Sequence, residues 1–315
     1  MSEGDENIRE NVVKLFEDVH LIECPWVPSF ARGPALNYFV SVFAILGKEI
    51  TLIDSGAENS PDEVILPYLN NVGRKPEEIS HVILTHGHRD HCGGVPLLKD
   101  RYSVKVAIHE LDRQFIEDPS SQYRERFGIS APKTAPFSAV QADIVVKDGD
   151  TLTVSGHEFT FISLPGHTIG SMAVIDRKLG LYMTGDTPQG KGEYRPNLAY
   201  NAAEYEASVK RLSSEPIKCL GLGHPFPPLN KAVLKADEAK FIIRESLSAF
   251  KEVCANLERV LKEANKPCTL EEITNKLPEG SPRRGSVGCL LDSLVTEGKA
   301  RMLKGDKDPL WTAVT

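Results

Sequence analysis

No apolar run in this 315-residue chain approaches the roughly 20 residues that cross a bilayer. The best candidate, Leu36–Leu46, contains Asn37 and Ser41 and reads as a buried strand. The opening segment, residues 1–10, is a polar, acidic tail without the basic start and apolar stretch of an export signal. Six cysteines are scattered with no C-x-x-C pair, which suggests reduced thiols and a cytoplasmic protein. Positive charge is not in excess: 37 Lys and Arg face 44 Asp and Glu, a net −7. That balance argues against broad binding to nucleic acid or to an anionic membrane. Nor is there a repeat or a short Gly/Pro period, and 41% hydrophobic content is too high for a disordered chain. What remains is a chain long enough for one large core or two smaller ones.

Its first 230 residues alternate short β-rich runs with short helical patterns. Val12–Ile22, Leu36–Leu46, Ile50–Ile53, His81–Leu84 and Val104–Ile108 are strand candidates, rich in β-branched residues. Pro61–Leu69 reads as a helix with Ser60 as its N-cap, and Glu110–Phe127 as a second helix. Ser130–Val140 has the Ala, Pro, Ser and Thr content of a loop or lid. Strands resume at Thr151–Val154, Glu158–Leu164, Met172–Ile175, Leu181–Met183 and Ile217–Leu222, with Asp148-Gly149 and Ser155-Gly156 as turn pairs. Beyond Pro228 the pattern becomes helical. Lys235–Ala264 places Leu247, Phe250, Cys254, Leu257 and Leu261 on one face, and Thr269 to Glu272 forms a capping box. A helix over Gly285–Thr296 and two strands around Gly305-Asp306 complete a winged-helix-like module over 231–315. The domain reading is therefore an acidic tail (1–10), a main domain (11–230) and this C-terminal module.

The chemistry concentrates in His86-Gly87-His88-Arg89-Asp90-His91, directly after the strand His81–Leu84. Neutral imidazoles and carboxylates suit zinc, iron and manganese. Ligands at i, i+2, i+4 and i+5 cannot all face one way on a strand or a helix, but a loop can splay them toward two adjacent metal positions. More polar residues stand at strand ends: Asp54 in Ile53-Asp54-Ser55-Gly56, His167 in Pro165-Gly166-His167-Thr168, Asp186 in Gly185-Asp186, and His224 in Gly223-His224-Pro225.

This ordered set resembles the metallo-β-lactamase superfamily over roughly residues 12–230. The resemblance implies an α+β fold, a four-layer αββα sandwich with the site at one edge of the sheets. It implies two divalent metal ions, zinc first, with iron or manganese as alternatives. His86, His88 and His167 would hold one metal and Asp90, His91 and His224 the other; Asp186 would bridge them and Asp54 would brace the set. Hydrolysis would use a metal-bridging hydroxide, with Asp90 orienting or deprotonating the nucleophile. His88 stands where flavodiiron relatives usually have Glu, which favours hydrolysis over redox chemistry. Asp186 matches the bridging carboxylate of glyoxalase II, lactonase and nuclease relatives, which true β-lactamases generally lack. A persulfide-dioxygenase relative with a single iron shares the first motif.

The leading expectation is a hydrolase of a small ester, thioester or lactone. The alternative is a single-strand-directed endoribonuclease of the lactamase-β-like group, whose members also carry such a C-terminal module. Residues 231–315 hold 15 basic and 13 acidic side chains, too even a balance for a dense nucleic-acid patch. A third reading, a binding protein that kept the fold, fits a complete ligand set poorly. Arg89 and the loop residues Lys191, Tyr194 and Arg195 are candidate substrate contacts, and Trp26–Arg32 a candidate opposite rim. His20, His81, His109, His157 and Cys92 read as structural residues. The helix stripe Leu247–Leu261 reads as core packing, with a homodimer interface as the alternative.

Overall fold

The computed structural model describes residues 12–26, 38–123, 137–305 and 308–314. The acidic tail, residues 27–32 of the expected rim, and most of the expected lid lie outside them. The first sheet has seven strands in sequence order: β1 (Val12–Lys14), β2 (Val19–Pro25), β3 (Phe39–Leu46), β4 (Ile50–Ile53), β5 (Ile79–Ile83), β6 (Lys105–His109) and β7 (Ile144–Val146). Antiparallel pairing gives way to parallel from β4 onward, where helical connections supply the crossovers. The second sheet runs β13-β12-β11-β10-β9-β8, from β8 (Thr151–Val154), β9 (His157–Ser163), β10 (Met172–Asp176), β11 (Leu181–Met183), β12 (Cys219–Phe226) and β13 (Lys231–Lys235). Ser155 and Gly156, both at positive φ, make the tight turn between β8 and β9.

The sheets stack through their alternate side chains. Phe43, Ile45, Ile53 and Ile83 from one meet Phe159, Phe161, Val174 and Met183 from the other. The outer face of the first sheet packs Val42, Leu52, Val82 and Val106 on α1 (Leu66–Asn71) and α3 (Val95–Tyr102). The outer face of the second packs Ile175, Tyr182 and Leu220 on α5 (Ala202–Ser213) and α6 (Ala236–Ala264). This is the four-layer αββα sandwich. Between these lie the short helices α2 (Arg89–Cys92) and α4 (Arg113–Glu117).

The C-terminal part continues the outer layer. After α6 come α7 (Leu270–Lys276), α8 (Arg284–Thr296) and a small antiparallel sheet ordered β14-β16-β15, from β14 (Cys268–Thr269), β15 (Ala300–Leu303) and β16 (Leu310–Ala313). Its Val287, Leu290, Leu291 and Trp311 belong to the same buried cluster as Tyr205 and Leu220 of the sandwich, so the stripe on α6 is core packing. The boundary expected after residue 230 falls immediately before β13, which pairs with β12 as the edge of the second sheet.

Local expectations hold where local chemistry decides. Thr269 caps α7, accepting from the Glu272 N–H, while Glu272 accepts from the Thr269 N–H. Ser60, by contrast, is no N-cap: it has helical φ/ψ and is buried, with no capping bond. Pro61–Ile65 forms a wide π turn before α1 rather than one α-helix. The expected helix over Glu110–Phe127 is shortened to α4 and a 3-10 turn at Pro119–Tyr123, and its last four residues lie outside the described residues. No cysteine forms a disulfide. Among the described residues no helix is long and apolar enough to cross a membrane.

Candidate metal centre

The centre is assembled where strands end. β4 ends on Asp54, whose φ of +63° lies in the left-handed region that Asp tolerates better than most residues. This bend aims its carboxylate at the next loop. Oδ1 accepts from the Thr85 N–H at 2.7 Å, and Oδ2 meets the Thr85 hydroxyl and His91 Nδ1, both at 2.8 Å. The loop after β5 carries His86 and His88, and α2 carries Asp90 and His91. His167 comes from the turn between β9 and β10, and Asp186 from the loop after β11. His224 lies within β12, not after it as expected: an irregularity in the β12–β13 register between Gly221 and Phe226 frees the strand at this point. Gly223 is required beside it, because a Cβ there would sit 2.3 Å from Asp186 Oδ1.

Seven side chains converge, and their atoms fall into overlapping trios. His86, His88 and His167 form one, Asp90, His91 and His224 another, and His86, His91 and Asp186 link them; within each trio the donor atoms lie within 4.8 Å of one another. Asp186 faces both sides. Its Oδ1 is 3.4 Å from His91 Nε2 and 3.6 Å from His224 Nε2, and its Oδ2 is 3.4 Å from His167 Nε2. Three of the inward atoms, His86 Nε2, His91 Nε2 and Asp186 Oδ1, are buried and make no hydrogen bond. Buried polar atoms are rarely orphaned, and three at one point fit a cation site.

The outward ring nitrogens are held by acceptors. His91 Nδ1 is bound to Asp54, His167 Nδ1 to the Asn197 carbonyl at 2.8 Å and His224 Nδ1 to the Phe39 carbonyl at 2.7 Å. Each contact holds the outer Nδ1 and aims Nε2 at the cluster. Burial, and then the neighbouring imidazoles, lower His86 well below its ordinary value and His88 to about 3, so both present lone pairs at neutral pH. His91 goes the other way: burial opposes its charge, but Asp54 and Asp186 outweigh burial and raise it well above. Burial also opposes the charge on Asp186, but His224, His167 and His91 overcome it and keep the carboxylate ionised. Asp90 is held ionised against burial by its contact with His224, Oδ2 to Nε2 at 3.2 Å.

Several supports have no sequence signal. Asp112 is fully buried and accepts from the Gly87 N–H (2.9 Å), the Gly170 N–H (2.6 Å) and the Thr168 hydroxyl (2.7 Å). It ties the loop of His86 and His88 to the loop of His167, and nothing in Leu111-Asp112-Arg113 announces this. Gln189 accepts from the Asn197 N–H and donates to the Asp186 and Asn197 carbonyls, locking the loop that holds His167. Tyr38 stacks on His224 with ring centroids 5.0 Å apart.

The candidate substrate contacts separate. Arg89 is half exposed, paired with Glu58 at 2.5 Å and lying over Trp26. Lys191 pairs with Glu252 of α6 at 2.7 Å, and Tyr194 packs under Arg283, so both engage the C-terminal part. Arg195 alone of the four is buried and joined to Tyr38 beside the cluster. His109 bonds Ser163 and the Leu111 N–H, and Cys92 is buried with its thiol on the Gly87 carbonyl.

Known proteins resemble this chain in sequence and in fold. Residues 36–224 match the family model of the metallo-beta-lactamase superfamily. An uncharacterized protein of Bacillus subtilis, YobT, is 27% identical over 209 residues, 60% of this chain and 86% of its own length. Hydroxyacylglutathione hydrolase GloC of Haemophilus influenzae is 30% identical over 105 residues, 33% of this chain and 48% of that protein. A metallo-beta-lactamase family protein of Thermus thermophilus superimposes with a TM-score of 0.71 at 18% identity, over 96% of this chain and 100% of that one. With the family model spanning more than half of its length, this chain belongs to the metallo-β-lactamase superfamily and is a hydrolase of it.

Proposed function

We propose that the chain is a dinuclear metal-dependent hydrolase of a small ester, thioester or lactone, with thioesters foremost. The observation that carries this reading is Asp186: one carboxylate whose two oxygens face different trios, with an orphaned buried Oδ1. His86, His88 and His167 would hold one ion, Asp90, His91 and His224 the other, and Asp186 would serve both. The donors are five imidazoles and two carboxylates with no thiolate, a set suited to zinc and shared by iron and manganese. Bound there, two divalent cations supply a nucleophile at neutral pH and polarise the acyl carbonyl.

The chain's own residues do the rest. Asp54 keeps His91 in register, Asp112 keeps the His167 loop against the His86 loop, Gln189 ties Asp186 to the Asn197 backbone that holds His167, and Asp90 remains an ionised carboxylate, able to orient a water or accept its proton. The thioester preference is supported by the partial relationship to a hydroxyacylglutathione hydrolase.

The test is elemental analysis with a substrate panel of thioesters, lactones and single-stranded RNA. About two metals per chain, and thioester hydrolysis abolished by chelation and by Asp186→Ala, are expected. RNA cleavage lost in Asp186→Ala, with no ester turnover, would replace this reading with the nuclease one.

A further inference from the structure

The outer layer of the second sheet leaves a hollow far from the metal centre. α5 stops at Ser213, and the chain turns through Glu215 and Ile217 into β12. Between this turn and the first turns of α6 lies a groove of about 190 Å³. Its lining is apolar: Leu212, Ala239 and Ile243 are at most 4% exposed, and Ile217 and Leu247 are half-buried. The space follows from the sequence of α6, which puts the small Ala236 and Ala239 on the face that carries Ile243 and Leu247 one turn later. Among the described residues three charged side chains line it: Lys240 and Arg244 from α6, and Glu215 opposite. Glu215 is already engaged, by the Tyr182 hydroxyl at 2.9 Å and by Arg177 at 3.4 Å. The two cations are held loosely. Lys240 reaches Asp237 at 3.6 Å and Arg244 reaches Glu245 at 3.9 Å, with the cationic side chains 78% and 72% exposed. The other acid of the first turn, Glu238, is paired with Lys231 at 2.7 Å.

A concave apolar lining with a few polar groups at its mouth is the usual form of a small-ligand site. Lys240 and Arg244 stand four residues apart, on one side of α6, so both can meet the same group. Their stems extend the apolar surface while their charges stay at the mouth. Exposed ion pairs as open as theirs are weak, so an incoming anion competes for both cations. Two cations and one engaged carboxylate leave the lining with one net positive charge, which suits a carboxylate better than a phosphate dianion. A methylene fills about the volume of a water, ~30 Å³, so the groove takes an alkyl chain of roughly six carbons or more. A protein partner needs a far larger contact, about 800 Å² on each side. The occupant would not touch the metals: β12 starts at Cys219, beside the groove, and His224 lies roughly 16 Å further along it.

We propose that this groove binds a medium-chain fatty carboxylate, its alkyl chain on Leu212, Ala239 and Ile243 and its head between Lys240 and Arg244. The site is separate from the metal centre and does not depend on the hydrolase reading.

The test is calorimetric titration of the metal-loaded full chain with octanoate, hexanoate, octanamide, octyl phosphate and acetate. Octanoate should bind at one site per chain, and octanamide about 10-fold more weakly for want of the charge. Hexanoate should also bind about 10-fold more weakly, as loss of two buried methylenes predicts. Acetate reports carboxylate binding at the metals and should bind too weakly to measure, and octyl phosphate should bind no more tightly than octanoate. The double variant Lys240→Gln, Arg244→Gln changes two exposed positions and should lower octanoate to the octanamide value while leaving octanamide unchanged. Ala236→Phe should fill the groove and abolish binding of both, and metal content should be unchanged in all variants. Octanoate bound no better than octanamide or acetate, no octanoate binding in the millimolar range, tighter binding of octyl phosphate, or octanoate binding undiminished in the double variant overturns the proposal. Sedimentation velocity covers the rival occupant. A dimer lost in Ala236→Phe, with no octanoate binding in the wild type, would assign the groove to a second copy of the chain and overturn the fatty-acid site.

Discussion

Replacing Asp112 by Ala removes the one acceptor shared by the two loops of the first histidine trio. Three hydrogen bonds are lost: those from Gly87 N–H, Gly170 N–H and the Thr168 hydroxyl. The hydroxyl already touches Ser171 Oγ at 2.7 Å and can turn to it, so two buried N–H groups are left without partners. At about 1–3 kcal/mol each, that costs about 2–6 kcal/mol. Against this stands the cost of burying the carboxylate, which raises Asp112 from 3.8 to about 6. A shift of that size corresponds to roughly 3 kcal/mol above pH 6, which the variant no longer bears. The two nearly offset, so near neutral pH the net change should be modest, between a gain of about 1 and a loss of about 3 kcal/mol. The metal trio has no such compensation. Freed from the clamp, the His86–His88 loop and the His167 loop can separate, and loss of an outer support of this kind weakens metal affinity by about 10–100-fold. Competitive chelator titration should therefore show one of two metals released at lower chelator concentration, the other little changed. Asp112→Asn adds a test by pH. The wild-type group holds its proton longer in the folded than in the unfolded state, so its contribution to stability declines as pH rises from about 4 to 6 and beyond. Between pH 5 and 7.5 urea denaturation should show a decline of about 1 kcal/mol in the wild type that is absent from Asp112→Asn. Two metals released as in the wild type, together with an unaltered pH slope, would refute the clamp.

Two further predictions concern the frame. His157 bridges the sheets, with Nδ1 to Asp176 at 2.6 Å and Nε2 to Asp18 at 2.9 Å; burial opposes its charge, but those two carboxylates outweigh it and raise it above the ordinary 6.5. Its stabilisation is therefore fully present below pH 6.5 and lost as pH rises through the raised value, so the Tm gap between wild type and His157→Gln should shrink from pH 6 to pH 9, with about 1 kcal/mol at stake for this partly exposed group. Ser286 of α8 accepts from the Leu198 N–H at 2.9 Å and donates to its carbonyl at 3.2 Å, next to the Asn197 carbonyl that holds His167. Ser286→Val should cost about 1–3 kcal/mol in urea denaturation and lower hydrolysis, whereas Ser293→Ala, on the same helix, should leave hydrolysis intact.

The ligand residues and their grouping into short motifs are legible in the chain because the signal is local. Three histidines and an aspartate within six residues satisfy no regular helix or strand face, and that conflict marks a loop built for ligation. The Thr269–Glu272 capping box and the Ser155-Gly156 hairpin are legible for the same reason: the atoms that decide them lie within a few residues of each other. The αββα order is implied by the family resemblance, and the alternating short strand and helix patterns are compatible with it. Ser60 shows the limit of local signals, since it is buried in helical φ/ψ and makes no capping bond.

Apart from Gln189, which bonds its near neighbours Asp186 and Asn197, the braces of the centre depend instead on distant pairings. Asp54 reaches His91 across 37 positions, Asp112 reaches Gly87 across 25 and Gly170 across 58, and His224 bonds the Phe39 carbonyl across 185. No spacing encodes these contacts, because they exist only once β3, β5, β10 and β12 are stacked and the loops at one edge are brought together. The same stacking turned Lys191 and Tyr194 toward the C-terminal helices and buried Arg195 beside His224. The chain by itself determined which residues are the candidate metal ligands. The packing of two sheets decided which of them meet and what holds them there.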